Sequence, residues 1–193
     1  MYSRLIVALV AGMFTATIAP AGDISYNFLR LDYLNTEVDV GPFDVEGDGP
    51  ELQGSLEVSD MFHLFAGYQS IDFDFGVDGT AYEVGGGYRH SFTPATDFIG
   101  TLSYIDVELE SSGGDFDDSG LGLSAGIRHL FHDRFEMLGR LNYVDLDDST
   151  TSVEFRGDYF LTDQWALGGG LELGDDTTTW LIGGRYNFAG FLD

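Results

Sequence analysis

Phe135-Glu136-Met137-Leu138-Gly139-Arg140-Leu141-Asn142-Tyr143 decides the fold, because apolar or aromatic residues alternate there with small or polar ones. Phe98-Ile99-Gly100-Thr101-Leu102-Ser103-Tyr104 repeats the pattern. Alternation of period two makes a strand with one apolar and one polar face. In a water-soluble sandwich the apolar faces would meet in a shared core. Here they end in large aromatics, while the opposite faces carry Arg, Glu, Gly and Ser. That is the pattern of a closed barrel with lipid outside and a polar lumen inside.

Read outward from these segments, the sawtooth predicts strands over 24–34, 51–59, 62–73, 80–91, 98–109, 119–130, 135–146, 151–161, 165–174 and 178–188. The expected architecture is all-β: a transmembrane antiparallel up-and-down barrel of ten strands, with eight as the alternative if the weak first segments are not strands. Leu102-Ser103-Tyr104-Ile105-Asp106-Val107-Glu108 is echoed by Leu141-Asn142-Tyr143-Val144-Asp145-Leu146-Asp147, one hairpin per repeat. Connections alternate in kind. Those at 59–61, 92–97, 131–134 and 162–164 are compact and lead into Phe62, Phe98, Phe135 or Trp165. Those at 35–50, 74–79, 110–118, 147–150 and 174–177 are rich in Asp, Gly and Ser and are expected to be the longer, outward loops.

Residues 1–21 read as an export signal, with Arg4, an apolar stretch from Leu5 to Phe14, and the small-x-small site Ala19-Pro20-Ala21. The barrel is then expected over 22–193. No later segment is continuously apolar enough for a membrane helix, so a membrane-embedded chain must use strands that close on themselves. The chain has no Cys, and its four prolines are expected to avoid strand interiors.

The net charge of −25 is unevenly placed. There is no Lys, and six of the eight Arg fall within strands. An Arg on the lipid face at mid-membrane would cost about 2–4 kcal/mol, which places these side chains in the lumen. Arg89, Arg128, Arg140, Arg156 and Arg185, with Glu83, Glu136, Glu154, Asp158 and Glu172, are expected to form a salt-bridge network there. A charge-selective pore is the alternative use. Most other acids crowd the opposite rim, which should repel nucleic acid. Asp74, Asp78, Asp115, Asp117, Asp118, Asp147 and Asp148 are candidates for weak, distributed Ca²⁺ or Mg²⁺ binding. Their spacing matches no EF-hand, and no cofactor is otherwise expected. His129 and His132 stand three apart on a strand and so face opposite sides, which argues against a metal pair.

The ending Gly183-Gly184-Arg185-Tyr186-Asn187-Phe188 resembles that of small Gram-negative outer-membrane barrels of the OmpA/OmpX-like or opacity-protein type. Ile24-Ser25-Tyr26-Asn27 with Phe62-His63-Leu64-Phe65-Ala66-Gly67-Tyr68 also resembles short outer-membrane and vesicle proteins of xanthomonads. The resemblance implies residence in the cell outer membrane beside lipopolysaccharide. It also implies that Gly183, Tyr186 and Phe188 form the signal read by the barrel-assembly machinery. Two departures from the pattern are Leu181, where a polar residue is usual, and the extension Ala189–Asp193. Three roles follow: a non-enzymatic envelope or surface-contact protein, a narrow porin, and an outer-membrane hydrolase or acyltransferase. The third needs a base beside its nucleophile or carboxylates, yet all four His lie toward the compact turns.

Overall fold

The structure, a computed structural model, describes residues 24–189; the expected signal at 1–21 lies outside them. Ten antiparallel strands run in chain order: β1 (Phe28–Asp39), β2 (Asp44–Ser59), β3 (Phe62–Phe73), β4 (Val77–Thr93), β5 (Thr96–Ser111), β6 (Phe116–Phe131), β7 (Phe135–Asp145), β8 (Ser149–Phe160), β9 (Trp165–Gly174) and β10 (Thr177–Asn187). Each pairs with its neighbours in sequence, and β1 pairs with β10 from Phe28↔Asn187 to Val38↔Thr177, which closes the barrel. Closure leaves the sheet with no free edge, as a bilayer demands of a chain that spans it with strands.

The distribution of side chains is the reverse of a soluble protein's. Arg30, Arg128 and Arg185 are among the largest fully buried side chains, whereas Trp165, Trp180 and Ile182 are exposed. The buried face is the lumen, and the exposed face is a continuous apolar belt. Tyr33, Tyr68, Tyr82, Tyr104, Tyr143 and Trp180 edge the belt at one end; Phe62, Tyr88, Phe98, Phe135, Tyr159 and Trp165 edge it at the other. From Phe135 to Tyr143 a tilted strand rises ~20 Å, close to the ~25 Å apolar band of a membrane barrel. The chain is therefore a transmembrane barrel.

Beyond the tyrosine row the polarity of the two faces exchanges while the alternation continues unbroken. In β1, Leu29, Leu31 and Tyr33 face out and Arg30 and Asp32 face in; further along, Asn35, Glu37 and Asp39 face out and Leu34, Thr36 and Val38 face in. In β5, Asp106, Glu108 and Glu110 point outward and Ile105, Val107 and Leu109 inward. The solvent outside changes from hydrocarbon to water at this level, so acids move to the outer face and aliphatics fill the inside.

Three expectations need correction. The acidic connections are not long loops: the strands continue through them, leaving turns of only 40–43, 74–76, 112–115, 146–148 and 175–176. Outward Asp and Glu on solvated strand ends mimic loop composition. Second, residues 24–27 are not strand; they enter the lumen mouth. Third, Pro50 does lie within a strand. The β2–β3 ladder passes from Asp48↔Asp72 to Glu51↔Gln69 and leaves Gly49 and Pro50 unpaired on that side, so the missing Pro donor costs no bond there. Gly49 is required beside it, because a Cβ would stand 1.9 Å from the Ser70 carbonyl oxygen.

Candidate functional site

The middle of the lumen carries the charges. Arg156 Nη2 donates to Asp32 Oδ1 at 2.7 Å, and its Nε lies 3.5 Å from Asp158 Oδ1. Arg30 Nη2 donates to Asp158 Oδ2 at 2.5 Å. Arg140 grips Glu154 with Nε at 3.0 Å and Nη2 at 2.5 Å. Glu136 stands 3.7 Å from Arg128 and 4.0 Å from Arg185. Glu172 accepts from Asn142 at 3.0 Å and from Ser152. Glu83, on β4, is also buried in the lumen and makes no ion pair with any described residue. Arg89, at the lumen mouth, donates to Glu57 at 2.8 Å.

Asp32 carried no sequence signal of its own, and neither did Glu51, Asp97 or Tyr26. The signal available was a cross-strand one: each of two lumen aspartates faces a glycine. Asp32 is opposite Gly183 and Asp158 opposite Gly168, and a Cβ at either glycine would stand 2.0 Å or 1.9 Å from the carboxylate. The glycines make room for the acids, which can then lean across the lumen to their arginines.

Both ends of this charged layer are sealed. Toward the acidic rim, Leu34, Val38, Ile71, Phe73, Val107 and Leu181, with six more side chains, form one buried apolar cluster drawn from seven strands. A polar lumen was expected along the whole barrel; the exchange of polarity beyond the membrane fills much of this half with aliphatic side chains instead, with Thr36, Thr150, Thr177 and Thr179 buried beside them. At the other mouth Tyr26 is fully buried and acts as a stopper. Its hydroxyl donates to Asp97 at 3.0 Å, its ring lies 4.4 Å from the Arg128 guanidinium and 4.7 Å from that of Arg89, and the His63 ring is 4.5 Å away. Arg89 Nη1 also donates to the Ile24 carbonyl at 2.8 Å, which fixes the segment in the mouth.

The seven rim carboxylates are spread around the circumference. Asp118 and Asp147 meet, with the Asp147 amide donating to Asp118 Oδ2 at 3.1 Å. Asp74 caps a turn and accepts from the Glu46 amide at 3.4 Å. Asp78 lies in a cross-strand row Asp48–Asp72–Asp78–Glu110. Asp117 faces Glu108, whereas Asp115 and Asp148 lie exposed at turns. Among the described residues no group of three or more His, Cys, Asp or Glu side chains is arranged to hold a metal ion.

At the opposite end, Tyr186 packs on Trp165 with ring centroids 4.8 Å apart, and the Phe188 amide donates to the Asn27 carbonyl at 3.1 Å. His129 Nδ1 lies 2.8 Å from Thr96 Oγ1. A groove of about 690 Å³ in the wall, lined by Phe155, Leu167, Leu171, Trp180 and Ile182 over Gly168–Gly170, contains no titratable side chain.

No protein-family model and no curated protein matches the sequence. Solved structures do match. The barrel is similar to the translocator domain of the autotransporter NalP from Neisseria meningitidis, with 10% identity, 97% of this chain and 95% of that one covered, and a TM-score of 0.50. It is also similar to the outer membrane protein OprG from Pseudomonas aeruginosa (11% identity, 90% and 99% covered, TM-score 0.49) and to the KdgM porin (14% identity, 83% and 99% covered, TM-score 0.48). At these identities the likeness is one of fold alone: a small closed antiparallel β-barrel.

Proposed function

We propose that this chain is a non-enzymatic outer-membrane protein: its barrel is sealed, and its acidic end is the working surface, in envelope integrity or contact with the exterior. The carrying observation is the apolar cluster in the rim half of the lumen, packed beside the buried threonines Thr36, Thr150, Thr177 and Thr179. An aqueous path would have to cross this cluster or pass between the buried threonines beside it. The residues that could do chemistry support the same reading: the charged middle is cut off from both mouths, and His129 Nδ1 is taken up by the Thr96 hydroxyl. In this reading lipopolysaccharide is the lateral neighbour, bridged to the rim by Ca²⁺ or Mg²⁺, and the barrel-assembly machinery reads Gly183, Tyr186 and Phe188. Planar-bilayer recording of protein first shown by heat-modifiability to be folded is the test. Wild type and Tyr26→Ala should both be silent, since removing the stopper leaves the apolar layer in place. Reproducible single-channel steps from wild type would establish a porin instead.

A further inference from the structure

The turn after β3 breaks a local rule. Phe75 and Gly76 both have positive φ, +66° and +68°, so the turn places a phenylalanine where Asn, Asp or Gly is favoured. A bulky residue in this region is a genuine outlier. Its ring gains nothing from the fold, being 77% exposed. Phe43, in the turn after β1, is 69% exposed. The second turn is tied to the start of β2, three residues past Phe43: the Asp74 amide donates to the Glu46 carbonyl at 2.9 Å, and the Glu46 amide donates back to the Asp74 carboxylate at 3.4 Å. Two bare aromatic rings are thus held on the tips of neighbouring hairpins, whose bases near the tips are hydrogen-bonded.

Three kinds of occupant can be compared. Phe75 lies seven residues beyond Tyr68 of the aromatic row, which puts it roughly 15–20 Å past the membrane boundary, out of reach of acyl chains. A second copy would bring a like-charged rim against this one, since Asp44, Glu46, Asp74 and Asp78 each stand within three residues of Phe43 or Phe75 and no described Arg lies in a rim turn. A cationic partner satisfies both features: its charges meet the carboxylates, guanidinium or ammonium groups settle over the ring faces, and its apolar side chains cover the ring edges.

We infer that the paired tips carrying Phe43 and Phe75 are a docking surface for a basic protein segment in which Arg or Lys is interspersed with apolar residues. This rests on the surface-contact reading proposed above and names the class of partner. The rings supply the anchor and the carboxylates the selectivity, as at interfaces where a few aromatic residues dominate binding.

The probe is a fluorescent synthetic peptide of alternating Arg and Leu, titrated against the full chain in zwitterionic-lipid nanodiscs, with empty nanodiscs subtracted. An Arg–Gly peptide of equal charge is the comparison. The Arg–Leu peptide should bind more tightly, and Phe75→Asn and Phe43→Ser should each weaken it about tenfold. Because Asn suits the left-handed turn, Phe75→Asn should keep or raise the thermal midpoint, separating a binding role from a folding one. Equal binding of the two peptides, unchanged binding by both variants, or a fall in midpoint with Phe75→Asn would each overturn the inference. A silent barrel that fails to bind refutes only the docking surface; a conducting barrel refutes the underlying reading.

Discussion

Gly183 lies directly across the β1–β10 ladder from Asp32, and a Cβ at 183 would stand 2.0 Å from the Asp32 carboxylate and 2.2 Å from the Leu31 carbonyl oxygen. The adjacent Gly184 points to the lipid side, with its nearest such contact at 3.7 Å. Two neighbouring glycines therefore differ in kind. Gly183→Ala should destabilise the barrel by about 3 kcal/mol through overpacking and displacement of Asp32. Gly184→Ala should change stability by no more than ~0.5 kcal/mol. Denaturant unfolding in lipid vesicles measures both, and equal effects would mean that the Asp32 contact is not what requires glycine.

The Arg156–Asp32 pair, nearly closed to solvent, invites a reversal experiment. Removing one partner strands a buried charge, so Arg156→Met should cost about 3–5 kcal/mol. Adding Asp32→Leu should recover most of that loss, because an apolar pair of similar volume needs no desolvated charge. A double variant as unstable as the single one would show that Arg156 acts mainly through Asp158, which lies 3.5 Å from its Nε.

Like charges directly opposite on neighbouring strands are destabilising, and the row Asp48–Asp72–Asp78–Glu110 is such a run. Bulk salt screens it only in part, with a Debye length of ~8 Å at physiological ionic strength. Ca²⁺ should therefore raise the thermal midpoint more than Na⁺ at matched ionic strength, and Asp72→Asn with Asp78→Asn should shrink the difference. Equal midpoints in the two salts would leave screening as the whole effect and end the case for divalent bridging at Asp74, Asp78, Asp115, Asp117, Asp118, Asp147 and Asp148.

Phe188 stands just beyond β10, and its amide holds the Asn27 carbonyl. Its backbone bond survives truncation of the side chain. Phe188→Ala should then refold normally in vitro yet accumulate poorly as folded protein in cell membranes, the pattern of a recognition residue. Poor refolding in vitro as well would assign the ring a structural role.

Much of the barrel was legible because period two survives from Leu29 to Tyr186, whatever changes around it. Faces assigned by parity put the strand arginines inside; Arg30, Arg128, Arg140, Arg156 and Arg185 lie buried there, whereas Arg89 is only half-buried at the mouth. What misled was chemistry read without its solvent. Glu37, Asp39, Asp44 and Glu46 read as loop because acids disfavour strands on average, yet here they cover the wet outside of β1 and β2 while Val38 and Val45 pack behind them. The partners Asp32 and Arg156 are 124 residues apart, and strand alternation says nothing about which charge crosses the lumen to which. Tyr26 was invisible for another reason: it continues the inward parity of Phe28 and looks like one more strand residue, although it plugs the mouth.

The hairpin tips at the acidic end have a consequence for digestion. A protease must draw an extended run of backbone into its cleft, and exposed loop tips are where nicking concentrates. Here the turns span only residues 40–43, 74–76, 112–115, 146–148 and 175–176, each anchored on both sides by a strand ladder. Cleavage would require several ladder bonds to open first. Trypsin has no Lys or Arg to find at this end, and a broad-specificity enzyme finds no slack. The folded barrel should therefore survive treatments that strip loop-rich proteins from the same membrane.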